Sequence, residues 1–406
     1  MDESSDGGIG PFGGVGGVGG VGGVGGVGGV GGVGGVGGVG GVGGVGGVIS
    51  VVYDSGLVTD ALVRSRDGIT GQWQAPTTFA NSLPVESTAN LRLWSPWVRA
   101  TLYDFEMFSR LGFTATTSGG IDGMQIWHLE LGPAAAGQTA PTAGYQPLIE
   151  MIRPTEAIFR DQLDFLVQYA DLRVDRASEI LAQLTPPIAF FGAIGYIHPD
   201  RTPKTLELLA TALRLANFVE MRLKSALACR RPIEFSPQVQ PMILTPAHGT
   251  LPSGHATEAF VSALVLWQLL RAAGSNPYGT EIWGLEIMRL AARVAINRTV
   301  AGVHFPVDSA AGAVLGLTLG QYLVNRCSQA SGSAATYDAW KFDGPSYPLR
   351  SSGTNADFLW HTLYNTATPG QTPTAYATPS GNQPLGSDGH SPILHWLWNH
   401  AKREWQ

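Results

Sequence analysis

The chain has 406 residues, 14 % of them charged, and a formal net charge of −6 at pH 7. This acidic balance, with only four lysines beside 21 arginines, lacks the basic patch that is typical of nucleic-acid binding. Cys229 and Cys327 are too few for a disulfide framework or a zinc site, and they can either pair or stay free.

The first 48 residues are dominated by twelve copies of Gly-Gly-Val, which fill residues 13–48. Two glycines in three maximise backbone entropy, and one valine per triplet cannot bury enough surface to offset it. Because proline is absent from the repeat, a collagen triple helix is disfavoured. We predict that residues 1–48 are a disordered tether, with a self-associating segment as the alternative.

Three further segments follow from composition and periodicity. Residues 49–150 mix short apolar runs with Gly, Pro, Ser and Thr clusters, which predicts a mostly helical and loop region that packs on the core. Residues 151–327 carry apolar residues at three- and four-residue spacing and are predicted as a helical core. Residues 328–406 are predicted as a loop-rich extension with a short terminal helix over Pro392–Glu404.

Proline and glycine mark the ends of the predicted core helices. These helices cover Thr155–Tyr169, Val174–Leu184, Pro203–Ala228, Gly254–Ala273, Thr280–Val300 and Pro306–Asn325. The fold class is therefore predicted as all-α, a helical bundle. The apolar runs at 259–270 and 310–320 are too short or too interrupted to require a membrane span, and no signal peptide opens the sequence. The chain is thus predicted to be soluble, and cytoplasmic by default.

Polar residues interrupt these apolar helices close to the helix ends. They are Lys224, Arg231, Ser253, Gly254, His255, Arg298, His304 and Asp308. Burying three cations singly would cost several kcal/mol each, so the pattern predicts a bound anion. Arginine presents a planar fork to a tetrahedral oxyanion, and the helix that starts after Ser253 adds free N–H groups. Glycine at 254 would let the anion approach the backbone.

His304 and Asp308 are four residues apart, so a helical turn can bring the carboxylate to the imidazole. Such a partner fixes the tautomer of a histidine and makes its other nitrogen a better nucleophile or ligand.

These eight residues, together with Pro232 and Pro252, match a three-part signature in order. The parts are Lys224-x6-Arg231-Pro232, Pro252-Ser253-Gly254-His255 and Arg298-x5-His304-x3-Asp308. The sequence resembles the superfamily of type 2 phosphatidic acid phosphatases, bacterial acid phosphatases and vanadium-dependent haloperoxidases over about residues 150–326. One departure is Asn297, where the pattern usually has serine, and asparagine can still hydrogen-bond.

The resemblance implies an all-helical fold with the anion at helix ends in the bundle core, which makes residues 151–327 the catalytic core. It implies that Lys224, Arg231, Arg298, Ser253 and Gly254 hold the oxyanion. In a phosphatase His304 would attack phosphorus and His255 would protonate the leaving alcohol. In a haloperoxidase His304 would bind vanadium, with vanadate as the cofactor and His255 assisting proton transfer. Relatives are often exported, so export is also left open.

His248, seven positions before His255, is a candidate for the halide side of the site, because bromide-oxidising relatives often carry histidine at that offset. The alternative is an exposed loop histidine. With the long region before the signature, this favours a haloperoxidase acting on bromide or iodide, hydrogen peroxide and a small organic acceptor. The alternative is an acid phosphatase acting on a phosphate ester.

Two other hypotheses weigh less. His390, His395 and His400 recur at five-residue steps, which rotate about 140° each on a helix and do not converge on one metal ion. The Gly-Gly-Val tract could instead belong to a structural protein with an inactive domain, although all the ionic site positions are present. A homo-oligomeric state is left open.

Overall fold

The computed structural model describes residues 56–75, 77, 83–274, 276–329, 335–386 and 389–406. The Gly-Gly-Val tract lies outside these residues. The chain divides between Arg99 and Ala100 into two compact units. The predicted segment boundaries after residues 48, 150 and 327 stay predictions.

Helices make up 54 % of the structure and strands 16 %. The helices are α1 (Gly56–Ile69), α2 (Pro96–Phe108), α3 (Glu156–Ala170), α4 (Arg173–Ala182), α5 (Ile188–Gly195), α6 (Pro203–Leu227), α7 (Pro232–Phe235), α8 (Gly254–Ala273), α9 (Glu281–Val300), α10 (Pro306–Ser328) and α11 (Pro392–Arg403). Each of the six predicted core helices matches one of these to within three residues at either end.

A five-stranded sheet shows that the all-α prediction was wrong. The strands are β1 (Leu111–Ser118), β2 (Ile121–Ala134), β3 (Pro141–Ile152), β4 (Thr336–Asp343) and β7 (Ala377–Pro384), with β5 (Tyr364–Asn365) and β6 (Gly370–Gln371) forming a separate pair. The sheet order is β1-β2-β3-β4-β7, and only β3 and β4 pair in parallel. Strands therefore replace part of the region that was predicted as mostly helical and loop, and part of the loop-rich extension.

The hairpin between β1 and β2 had a sequence signal that the helical prediction overlooked. Gly119 and Gly120 form its two-residue turn, with φ values of 58° and 80°. Both positions lie in the left-handed region, which glycine enters without steric cost and which suits the twist of a hairpin. The pairing of β3 with β4 gave no such local signal, because the two strands are separated by most of the helical core.

Helices α8 and α10 pack closely because glycine recurs at every fourth position of α10. A Cβ on Gly312 would lie 2.6 Å from the carbonyl oxygen of Ser253, and one on Gly316 would lie 2.5 Å from that of Thr257. Among the described residues, α10 is the one helix long and apolar enough to cross a membrane, and 94 % of its apolar window is buried inside the protein. Such burial is typical of a core helix.

We expect Gly316→Ala to destabilise the protein by roughly 1–3 kcal/mol, because the backbone of α8 must move. In a helix interior without a steric clash, alanine is more stable than glycine by about 1 kcal/mol. A net loss of stability would therefore come from the clash between the new Cβ and the backbone of α8. Urea unfolding measures the change. Gly144→Ala is the control, since a Cβ there meets nothing within 4 Å. Equal stability of Gly316→Ala and the parent would contradict the packing argument.

Candidate oxyanion site

Helix ends bring the predicted site residues together in the helical part of the second unit. Lys224 lies in the last turn of α6, Ser253 caps α8, Arg298 lies in the last turn of α9, and Asp308 lies in the first turn of α10. Helix ends carry backbone N–H and C=O groups without intrahelical partners, so polar side chains can be bonded there although they are buried.

Lys224 is 2 % exposed and binds the loop that leads into α8. Its Nζ donates to the carbonyl oxygens of Gly249 at 3.2 Å and Thr250 at 3.3 Å, and to that of Pro252. These bonds use all three ammonium hydrogens, so Lys224 fixes the loop and supplies charge. Burial lowers the pKa of Lys224, and neighbouring Glu220 opposes that shift.

His304 is held in one tautomer by partners on both ring nitrogens. Arg231 Nη1 lies 3.0 Å from Nε2, and Asp308 Oδ2 lies 3.1 Å from Nδ1. Arginine only donates, so Nε2 carries the lone pair and the ring proton on Nδ1 faces Asp308. Burial, then the charges of Arg231 and Lys224, hold the pKa of His304 well below its ordinary value. At neutral pH Nε2 is thus unprotonated, and in the ligand-free site its lone pair accepts from Arg231.

Asp308 is fully buried and lies at the centre of a hydrogen-bond cluster. Its Oδ2 accepts from Thr250 Oγ1 at 2.5 Å and from the backbone N–H of Phe305 at 2.9 Å, in addition to the bond from His304. Burial raises the pKa of Asp308 to about 6, although the hydrogen bonds from Thr250 and Phe305 oppose the shift. The Asp308 carbonyl accepts from the N–H of Ser253 at 2.9 Å, which fixes the start of α8 against α10.

The first turn of α8 leaves backbone donors free. Ser253 Oγ accepts from the N–H of Ala256 at 3.4 Å, as an N-cap does. No acceptor for the N–H groups of Gly254 and His255 is present among the described residues. A Cβ on Gly254 would lie 2.6 Å from Glu220 Oε1, so a carboxyl group occupies the space that a side chain at this position would need.

His255 donates from Nε2 to the backbone carbonyl of Gln183, 2.9 Å away just beyond α4. A carbonyl oxygen only accepts, so the proton lies on Nε2 and Nδ1 carries the lone pair. Burial and the charge of Arg298 lower the pKa of His255 to about 3. The ring is therefore neutral at neutral pH until negative charge binds nearby.

Arg298 is 1 % exposed and only partly satisfied. Its Nη2 donates to the Ile180 carbonyl at 3.3 Å and to Gln183 Oε1 at 3.4 Å, whereas Nε and Nη1 are buried without a partner. Burial lowers the pKa of Arg298 to about 10. The preceding Asn297 donates to the same Gln183 oxygen at 2.8 Å and to Glu179 at 3.0 Å. Asparagine thus fits this position, where the superfamily usually has serine.

His248 lies at the exposed edge of the site, in contact with Arg231. Arg231 Nη2 is 3.1 Å from His248 Nδ1, and Arg231 Nε donates to the His248 carbonyl at 2.9 Å. Partial burial, then the charge of Lys224, lowers the pKa of His248 to about 4. The ring is thus neutral. Its Nδ1 can accept from Arg231 or donate to the Gly249 carbonyl oxygen, 3.2 Å away, and these two hydrogen bonds require opposite tautomers.

The predicted residues fall into two hydrogen-bonded groups. Lys224, Arg231, His248, Ser253, His304 and Asp308 belong to one, and His255 and Arg298 meet through Gln183 in the other. Sequence reasoning missed Gln183, Thr250 and Glu220. Thr250 lies inside the predicted loop and Glu220 lies one helical turn before Lys224, so both were near the signature.

Three features remain besides these two groups: the C-terminal histidines, the two cysteines and a cavity. The Nδ1 atoms of His390, His395 and His400 each contact a backbone carbonyl, and no group of three metal-ligating side chains occurs among the described residues. Cys229 and Cys327 are free and buried, and burial raises the pKa of both thiols to about 12. A cavity of about 390 Å³ beside Arg153, Arg230 and Phe235 is lined by none of the predicted site residues.

The comparison with protein families agrees with the signature. Residues 206–331 match the PAP2 superfamily, and this stretch contains every predicted site residue from Lys224 to Asp308. This match is consistent with the superfamily of type 2 phosphatases and haloperoxidases. No curated protein matches the chain.

Proposed function

We propose that the site binds vanadate and that the protein is a vanadium-dependent haloperoxidase, which oxidises bromide or iodide with hydrogen peroxide. The oxyanion part of this proposal is carried by Arg298, whose Nε and Nη1 are buried without a partner. Leaving buried donors unsatisfied costs about 1–3 kcal/mol each, and more for a charged group. A bound oxyanion would accept from them and offset the charge.

The charges and donors of the site fit a tetrahedral oxyanion. Arg231 and Arg298 offer guanidinium groups, Lys224 adds a positive charge, and Gly254 adds a free N–H. His304 Nε2 would be the ligand to vanadium, since Asp308 keeps the ring proton on Nδ1. When bound, vanadate activates hydrogen peroxide toward attack by halide.

His255 would move the protons that this chemistry needs. In the ligand-free site its low pKa, about 3, is caused by burial and by Arg298. The charge of an oxyanion opposes that of the arginine and raises the pKa of the imidazole. His255 would then take up a proton at Nδ1, while the Gln183 carbonyl holds the Nε2–H group in place. Proton transfer thus follows anion binding.

His248 supports the haloperoxidase over other oxyanion chemistry. Its ring contacts Arg231 and is exposed, and in the tautomer that accepts from Arg231 it presents an Nε2–H donor to an incoming halide or organic acceptor. A neutral ring suits this role because it donates a hydrogen bond without a permanent charge.

We expect His248→Ala to lower kcat/KM for bromination by about tenfold or more, because one hydrogen bond to an anion is lost. Hydrolysis of an aryl phosphate, if present, should change by about twofold or less. Dye bromination and aryl-phosphate hydrolysis measure the two rates, with the exposed His361→Ala as the control. An equal effect on both reactions would remove His248 from the halide side.

A phosphatase is the second candidate, supported by the lone pair on His304 Nε2. In that reaction Nε2 attacks the phosphorus of a phosphate ester and forms a phosphohistidine, and His255 protonates the leaving alcohol. The three cations stabilise the charge that builds on the oxygens during transfer.

One pair of assays separates the candidates. The purified protein is incubated with orthovanadate and tested for bromination with peroxide and bromide, and in parallel for hydrolysis of an aryl phosphate. Vanadate-dependent bromination without hydrolysis supports the haloperoxidase, whereas hydrolysis that vanadate inhibits supports the phosphatase. Absence of both overturns the two enzyme proposals and favours a structural protein with an inactive domain.

A further inference from the structure

Glu220 is a buried acid at the oxyanion site that the proposed reactions do not use. Its side chain is on α6, one turn before Lys224, and is 2 % exposed. Its Oε1 occupies the side-chain face of Gly254, where a Cβ would lie 2.6 Å away. The carboxyl group therefore lies directly beside the first turn of α8, where free N–H groups face the site.

This carboxyl group lacks the partners that an ionised acid needs. Glu220 Oε2 is buried without a hydrogen-bond partner. Lys224, the nearest cation on its own helix, gives its three hydrogens to backbone carbonyls instead. Burying an ionised carboxylate without hydrogen bonds costs several kcal/mol, so the neutral form is favoured.

Three charged groups act on Glu220. Lys224 on α6 and Arg231 beyond its end favour the ionised form, but burial outweighs both and raises the pKa of Glu220 to about 7. Glu258 on α8 is a like charge, and the pKa of its own carboxyl group is raised by burial and by Glu220. Burial thus favours the neutral form of Glu220 against its two cationic neighbours.

We infer that an oxyanion binds to this site together with a proton on Glu220, so that the neutral acid is the binding-competent form. The inference rests on the proposed oxyanion site. An ionised Glu220 would repel the bound anion across Gly254 in a region of low dielectric, and would offset part of the charge of Lys224 and Arg231. Anion binding therefore raises the proton affinity of Glu220, and deprotonation weakens anion binding by the same factor.

The sign of the pH dependence follows from this coupling. Below the pKa of Glu220 the acid is already neutral, and anion affinity does not depend on it. As the pH rises through this pKa, binding must take up a proton, so affinity falls by up to about tenfold per pH unit. A glutamine at this position keeps the shape of the side chain and stays neutral, so this contribution disappears.

Tungstate is a suitable probe because it is a tetrahedral dianion whose own charge is constant between about pH 6 and pH 9. Calorimetry of tungstate binding gives its Kd over this range. Repeating the titration in buffers of different ionisation enthalpy gives the number of protons that the protein takes up when tungstate binds. The proteins compared are the parent, Glu220→Gln, and the exposed Glu286→Gln on α9 as the control.

We expect the parent and Glu286→Gln to take up more protons per tungstate above pH 7 than Glu220→Gln does. We also expect Glu220→Gln to bind at least as tightly as the parent at about pH 8, an outcome that a purely structural role would not give. Identical pH dependence and proton uptake in the parent and Glu220→Gln would overturn the role of Glu220 and leave the oxyanion site standing. No tungstate binding by the parent at any pH would overturn the oxyanion site itself.

Discussion

Replacing His304 by alanine should reduce turnover by at least about 10³-fold, whichever reaction the site performs. Nε2 of the imidazole is unprotonated because Asp308 holds the ring proton on Nδ1, and in the ligand-free site its lone pair accepts from Arg231. In the haloperoxidase this lone pair binds vanadium, and in the phosphatase it attacks phosphorus. Alanine provides neither group, so bromination and aryl-phosphate hydrolysis should both fall to background.

The control for this prediction is His361→Ala, which removes an exposed imidazole from the same chain. Circular dichroism and thermal unfolding of both variants show whether the fold is retained. A folded His304→Ala protein with the parent's activity would exclude His304 as ligand or nucleophile, and with it both enzyme proposals.

The core helices could be predicted because their signals are local. Pro203 and Pro306 mark the starts of α6 and α10, and apolar residues at three- and four-residue spacing continue to the ends. Most residues of α8 and α10 are buried, as this spacing predicts for core helices. The sheet could not be predicted in this way, because β3 and β4 are far apart in sequence and their pairing depends on the tertiary structure.

The charged residues of the site were predictable for a different reason. Three cations and a helix start at fixed spacing, such as Arg298 five residues before His304, point to an anion even without a structure. The groups that orient them were not predictable. Gln183 reaches both His255 and Arg298 from another helix, and polar residues of its type are common at helix ends. Only the tertiary structure distinguishes it from an ordinary C-cap.

The reason given from the sequence for glycine at position 254 was incomplete. Glycine was expected there because a bound anion must approach the backbone. The structure shows a second steric requirement, since the Glu220 carboxyl group occupies the space of a Cβ. Sequence spacing gave no sign of this contact, because Glu220 lies on α6 and its distance from α8 depends on how the two helices pack.

Arg298→Met should weaken tungstate binding by about 30-fold or more while it stabilises the ligand-free protein by about 1–2 kcal/mol. The binding loss follows because Nε and Nη1 are donors without a protein partner, which an oxyanion would use. The gain in stability follows because methionine buries no charge, and the two bonds that it loses, to Ile180 and Gln183, are long at 3.3 and 3.4 Å.

Calorimetry measures the affinity for tungstate, and urea unfolding without tungstate measures the stability of the ligand-free protein. Arg289→Met is the matched control, because Arg289 lies on the same helix, is exposed, and pairs only with Glu286 among the described residues. Both of its values should stay close to those of the parent. If Arg298→Met lost stability and kept its affinity for tungstate, Arg298 would be a structural residue of the α4–α9 contact. Weaker tungstate binding together with higher stability would instead identify Arg298 as a cation that serves anion binding at a cost to stability.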